Sequence, residues 1–258
     1  MTNPTLPNTS PERLWHADNL RLTAFPSPAT QFNATGQWAQ IVGQAPDSQT
    51  IQTSKSIIEE IGKFANGRLQ LLAQPVRIDW NYGLGGLMDQ DPPPTNSELP
   101  FTVALRSFLQ VAERWLPVGP SLRRLAFGAI LTRPVQSRIE GYREMAHYLE
   151  NVVRLDPEGS SDFLYQINRP RQLTDEPRIK INRLSKWSVG QVQFTQVAVN
   201  PGIRPYITLG DPILSMRLEL DINTDADYHG DLPQMHLADL FRRLTNEGME
   251  IAEQGDVP

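Results

Sequence analysis

The sequence predicts an α+β protein of two related halves, each of mostly antiparallel sheet covered by helices, and three observations carry that prediction. The elements read in the order β-α-β-β-α and then β-α-β-β-β-β-α. Residues 101–116 and 235–253 repeat large apolar side chains at three- and four-residue steps, the stripe of a helix that faces a core. Residues 122–132 (LRRLAFGAILT) are apolar at both parities, with Leu125, Phe127, Ala129 and Leu131 against Ala126, Gly128 and Ile130, so this strand belongs in the middle of the sheet.

From the N-terminus, residues 1–13 carry three prolines and small polar groups and read as a loose arm. Residues 20–25 alternate, Leu20, Leu22 and Ala24 against Arg21, Thr23 and Phe25, and stop at Pro26 and Pro28. A helix over 31–42 follows, with Trp38, Ile41 and Val42 as its apolar contacts and Gly43 as its end signal. Strands over 56–65 and 68–82 flank Asn66-Gly67, a dipeptide suited to a tight hairpin turn, and Pro75 implies a bulge, edge or break in the second. The glycine- and proline-rich stretch 83–96 reads as a loop. The helix at 101–116 shows Phe101, Leu105, Phe108, Leu109, Ala112 and Trp115 before Pro117 ends it. After the strand at 122–132, Ile139, Tyr142, Ala146, Leu149 and Val153 mark a helix over 139–153. Strands are expected over 162–170, 178–184, 188–199 and 215–223. The final helix presents Leu237, Leu240, Phe241, Leu244 and Ile251.

The chain has 258 residues, 39% hydrophobic and 21% charged, a composition that supports a packed core. Its length fits two halves, 1–117 and 118–258 with a boundary near 118–121, or one continuous compact domain. Twenty-four basic against 29 acidic side chains give a net charge of −5, which opposes nonspecific attraction to a nucleic-acid backbone or an anionic membrane. The absence of cysteine removes disulfides, thiolate metal sites and cysteine nucleophiles. No basic start, signal-like apolar stretch or run of about 18 apolar residues is present, so a cytoplasmic protein is expected.

Ile167-Asn168-Arg169 recurs as Ile181-Asn182-Arg183, and Ile222-Asn223 closes a later strand. A hairpin centred near residue 175 would set Asn168 opposite Asn182. Phe163, Tyr165, Ile167, Ile179, Ile181, Met216, Leu218, Leu220 and Ile222 then form the core face. Gln166, Asn168, Lys180, Asn182, Arg217, Glu219, Asp221 and Asn223 form the other. That surface is the solvated side of a one-sided sheet, or it is a recognition surface made of Gln166, Asn168, Arg169, Lys180, Asn182, Arg183, Arg217 and Asn223. The Tyr165-x-Ile167-Asn168-Arg169 segment, and the strand at 218–223 followed by a polar loop and a long last helix, resemble a family of sporadically distributed, uncharacterised bacterial proteins of about this length. The resemblance spans 20–253 and implies a bacterial, cytosolic origin; it supports the fold and brings no activity or site residue.

Other candidate chemistry is sparse. Asp225, Asp227, Gly230 and Asp231 imitate the opening of a calcium loop, but position twelve is His236 and a strand precedes, so a solvated turn is expected, with Asp225, Asp227 and Asp231 as the one hard-cation set. His16 and His147 have no histidine at i+3 or i+4. Gly83-Leu84-Gly85-Gly86 lacks both the dinucleotide fingerprint and the Walker lysine, and no G-x-S-x-G elbow occurs. No cofactor is expected. Arg169, Arg171, Arg178, Lys180, Arg183 and Lys186 lie within eighteen residues, near Tyr165 and Trp187, and serve either ion pairs with Asp162, Asp175 and Glu176 or single-stranded RNA. The expected function is a non-enzymatic protein-binding or self-assembling module using sheet edges and helix faces, with Trp15, Trp38 and Trp115 as exposed contacts. The alternative is RNA binding through Asn168, Lys180, Asn182 and Arg183.

Overall fold

The alternation of β1 (His16–Pro26) puts Leu20, Leu22 and Ala24 on a helix-covered face, and this strand forms the middle of the sheet. The structure, a computed structural model, describes residues 14–28, 30, 32–83, 99–173, 176, 178–192, 195–198, 206–209, 213–228 and 230–256. The expected arm at 1–13, the loop at 83–96 beyond Gly83, and Asp175 and His229 lie outside the described residues.

The first segment continues with α1 (Gln37–Val42), β2 (Ser48–Gln52), β3 (Ile57–Phe64), β4 (Gly67–Gln74), β5 (Arg77–Gly83) and α2 (Phe101–Trp115). The second runs through β6 (Leu122–Pro134), α3 (Arg138–Leu149), β7 (Leu164–Asn168), β8 (Arg171–Gln172), β9 (Lys180–Val192), β10 (Thr195–Ala198), β11 (Tyr206–Leu209), β12 (Ile213–Thr224) and α4 (Leu237–Gln254). Nine strands follow one another as β2-β3-β4-β5-β1-β6-β12-β9-β7, with β8 beside β9 as the tenth, and every described pairing is antiparallel. Among the described residues β10 and β11 pair only with each other. The architecture is α+β, with β6 central as its two apolar parities predict.

The four helices of the described residues sit on one face: α1 against β3 and α2, α2 on β1 and β5, α3 on β9 and β12, and α4 on β6, β9 and β12. Tyr82 of β5 stacks on Phe108 of α2 at 6.2 Å, Phe108 meets Phe241 of α4 edge-on, and Phe241 meets Phe127 of β6 at 5.9 Å. This aromatic line draws side chains from both sides of residues 118–121 into one hydrophobic cluster.

Several expectations change. Trp15, Trp38 and Trp115, expected as exposed contacts, are 7%, 0% and 0% exposed. Trp38 donates its Nε1–H to the Leu69 carbonyl at 3.2 Å and fills the space above Gly62, where a Cβ would lie 2.6 Å from the ring. Trp115 meets Trp80 at 6.0 Å, and Trp15 donates to the Ala252 carbonyl at 2.9 Å. The first helix covers only 37–42, because Gly36 turns left-handed at φ 77° immediately before it. The first hairpin turns one residue earlier than expected: Phe64 pairs with Gly67, and Ala65 holds φ 47°. Of the bulge, edge or break that Pro75 implied in the strand over 68–82, the break is found: Pro75-Val76 joins Gln74 to its partner Arg77. The separate strands at 178–184 and 188–199 are one continuous β9 up to Val192. β2 was not expected, since SQTIQ has a single apolar residue.

Candidate functional site

The face opposite the helices carries the polar surface expected from β7, β9 and β12. Asn168 pairs with Leu184, not Asn182, so the register of the expected hairpin is two residues off. A two-residue slip keeps parity, and the amides still meet. Asn168 donates to Asn182 Oδ1 at 3.0 Å, and Asn182 donates to Asn223 Oδ1 at 3.2 Å. Arg124 of β6 also donates to Asn223 Oδ1, at 2.8 Å, and Asn223 donates to Asp221 at 2.9 Å. The three asparagines, poor strand formers, hold one another across three strands in a ladder of side-chain hydrogen bonds. Arg217 and Lys186 both bind Glu219, at 3.0 and 3.2 Å. Burial pushes the Glu219 carboxyl up, but hydrogen bonds and charge from Lys186 and Arg217 outweigh it and hold the group below its ordinary value. Gln166 and Lys180 are exposed.

Arg183 and Arg169 do not belong to this face. Arg183 shares the parity of Ile181 and points under the helices, 2% exposed, with Glu247 at 2.6 Å and Glu250 at 3.1 Å on α4. Arg171 binds the same two carboxylates at 3.3 and 3.0 Å. Arg169 grips Asp256 bidentately at 2.6 and 2.9 Å. The carboxylates that hold these three arginines are not Asp162 or Glu176 but residues much later in the chain, at separations of 67, 76, 79 and 87 for four of these hydrogen bonds. Gly255 places Asp256 there: at φ 82° it turns the chain under Tyr148, whose carbonyl a Cβ would strike.

Tyr165 donates its hydroxyl to Asp256 at 2.5 Å. Burial, then the hydrogen bond to Asp256 and its negative charge, push the Tyr165 phenol from its ordinary 10.0 up to about 12. A folded-state value above the unfolded one means that this contribution to stability is fully present below pH 10 and is lost as the pH rises through about 12. The stability of wild type relative to Tyr165→Phe is therefore expected to hold constant below pH 10 and to fall as the pH rises from 10 through about 12. Ultraviolet phenol titration should show one late-ionising group absent from the variant; superimposable titrations would refute the assignment.

The remaining candidates do not converge. Asp225 accepts the Asp227 amide at 3.1 Å, while Asp231 accepts a hydrogen bond from Ser27 on another element. Among the described residues no group of three or more His, Asp or Glu is placed to hold a metal ion. A cavity of about 230 Å³ at the start of α4 is lined by Leu173, Ile179, Leu240, His236, Asp239 and Arg243 among others, a mixed set of charges on an apolar wall. Among the described residues no helix is long and apolar enough to cross a membrane.

Two features of the surface escaped the sequence reading. One is the share of the open face on β1, β3, β4 and β5, where Thr23 and Arg77 bind Asp79, and Asn81 donates to Gln70, which donates to Glu59. The other is β2, one of the two outermost strands of the sheet among the described residues, all five residues of which are exposed. Parity opposite to Leu20 and Leu22 would have found the first; β2 has no such signal. Compared with protein-family models, with curated proteins and with solved structures, the chain matches none.

Proposed function

We propose that the protein is a binding module made of two related halves, that its docking edge is β2, and that the first partner of this edge is a second copy of the chain. The two-half reading is supported by connectivity: β5 returns to lie beside β1 and leads into α2, as β12 returns beside β6 and leads into α4. The observation that carries the function is the state of β2. Its sequence, Ser-Gln-Thr-Ile-Gln, has no charge and no proline, and its outer side pairs with no described strand. Unpaired edge groups are a template for another strand, and natural edges are normally blunted by charge, proline or cover. The opposite edge is blunted in that way, since β7 stops at Asn168 and Pro170 separates it from β8.

Ile51, 51% exposed, continues the apolar row of Ile58, Ala73 and Ile78 out to the edge. An antiparallel β2 pair about Thr50 would set Ser48 against Gln52 and Gln49 against Ile51 of the second copy, a self-complementary register. Single-stranded RNA has fewer cations to meet than the sequence offers, because Arg169, Arg171 and Arg183 are held by Asp256, Glu247 and Glu250.

Light scattering coupled to size-exclusion chromatography is expected to give twice the 29.1 kDa chain mass at tens of micromolar protein, and Ile51→Lys is expected to restore the single-chain mass. A wild-type protein that stays at the single-chain mass, or a variant that stays paired, overturns the reading.

A further inference from the structure

Arg21 stands near the centre of the sheet face opposite the described helices, on β1 between β5 and β6. Its cross-strand neighbours are Asn81 on one side and Gly128 on the other, and the row continues past Gly128 to Asp221. The guanidinium lies along Gly128: a Cβ at that position would sit 3.1 Å from Nη2 and 3.3 Å from Nε. Glycine is what lets this side chain rest flat on the sheet. In that posture the Nε–H is cut off from water and has no acceptor. The other arginines around it are engaged, Arg77 with Asp79, Arg124 with Asn223 and Arg217 with Glu219. Among the described residues Arg21 has no hydrogen-bond or ion-pair partner. A partly buried guanidinium without a described partner, beside three arginines that each have one, is a site short of one acceptor.

We propose that Arg21 binds a carboxylate, received in the bidentate fork geometry that a planar guanidinium offers. The charge of the surroundings selects the class of anion. Asp221 lies two strands away in the same row, Asp79 faces Thr23 two residues along β1, and the whole chain carries −5, so the local potential suits a monoanion and opposes a phosphate dianion. The site lies on the sheet face, away from the outer edge at β2, and does not depend on whether β2 pairs.

The test is a titration of ¹⁵N-labelled full-length protein, read at the Arg21 Nε–H and the Gly128 amide. Acetate, acetyl-Glu-amide and acetyl-Ala serve as probes, with chloride as the ionic-strength control and inorganic phosphate as the competing class. Both resonances are expected to shift saturably with each carboxylate, with half-saturation on the order of 10 mM. The tighter of the last two carboxylates tells whether a side-chain or a main-chain carboxylate is the natural donor. Arg21→Gln is expected to weaken the Gly128 response at least tenfold while leaving the rest of the spectrum in place. A non-saturating shift, a shift matched by chloride, or tighter binding of phosphate overturns the proposal in the wild-type protein alone, whether or not the variant folds. An unchanged Gly128 response in a folded Arg21→Gln variant overturns it as well.

Discussion

Changing Glu247 and Glu250 together to glutamine is expected to destabilise the protein by about 3–5 kcal/mol, the range for stranding a buried charge. Both carboxylates face Arg183, which is 2% exposed between β9 and α4, and without them no described carboxylate lies against its guanidinium. Burial already pulls the Arg183 guanidinium below its ordinary value, with the charges of Glu247 and Glu250 opposing that pull. Removing the cation instead should be milder. Arg183→Met leaves two partly exposed carboxylates that can turn to water and that still have Arg171. Combining all three changes should recover part of the loss, since an apolar side chain of similar length asks for no counter-charge. Urea denaturation of the four proteins decides it. A double glutamine variant within about 1 kcal/mol of wild type would show that the pair is not what holds α4 to β9.

The second large effect is at Glu60. Its side chain is 0% exposed and accepts the amides of Gly36 and Trp38, at 2.9 and 3.0 Å, and the Gln49 side-chain amide at 2.6 Å. α1 has no side-chain cap of its own, because its N-cap is Gly36; a carboxylate from β3 supplies the missing acceptor. Glu60→Ala leaves three donors short, the Trp38 amide fully buried and the other two partly so, and a loss of about 3 kcal/mol is expected. Glu60→Gln keeps the shape but turns an amide NH₂ toward other donors, so it should recover only part of that. The same change should loosen β2, which Gln49 ties to Glu60, and hydrogen exchange of Ser48–Gln52 should speed up with it. Wild-type stability in Glu60→Ala would contradict the capping role.

What could be read from the sequence follows the reach of each signal. Helix stripes in α2 and α4 and the two-sided apolar strand β6 depend on neighbours within a few residues, and all three stand where periodicity places them. Parity also sorted the face bearing Asn168, Asn182 and Asn223 correctly, since a register error of two cannot turn a side chain over. Parity applied to Arg183 would have put it with Ile181 under the helices. The repeated Ile-Asn-Arg triplet hides this, because its third residue meets Asp256 in one copy and Glu247 and Glu250 in the other. The partners of Arg169, Arg171 and Arg183 lie on α4 and beyond it, a distance over which spacing says nothing. Trp38 was misplaced for a related reason: the pocket that takes it opens because β3 has a glycine at Gly62, on another element.

The central place of β1 bears on how the chain assembles. Leu22 pairs with Trp80 on one side and Phe127 on the other, so the earliest strand is flanked by neighbours made much later. It cannot be completed by a local hairpin. Closing such sequence-distant pairs costs loop entropy before any contact repays it, which slows folding in sheets of this kind. Until β6 arrives, β1 exposes a long apolar flank, and until β12 arrives, so does β6. The nascent protein therefore passes through stages whose open edge lies in the middle of its future sheet, where unintended strand pairing is hardest to guard against.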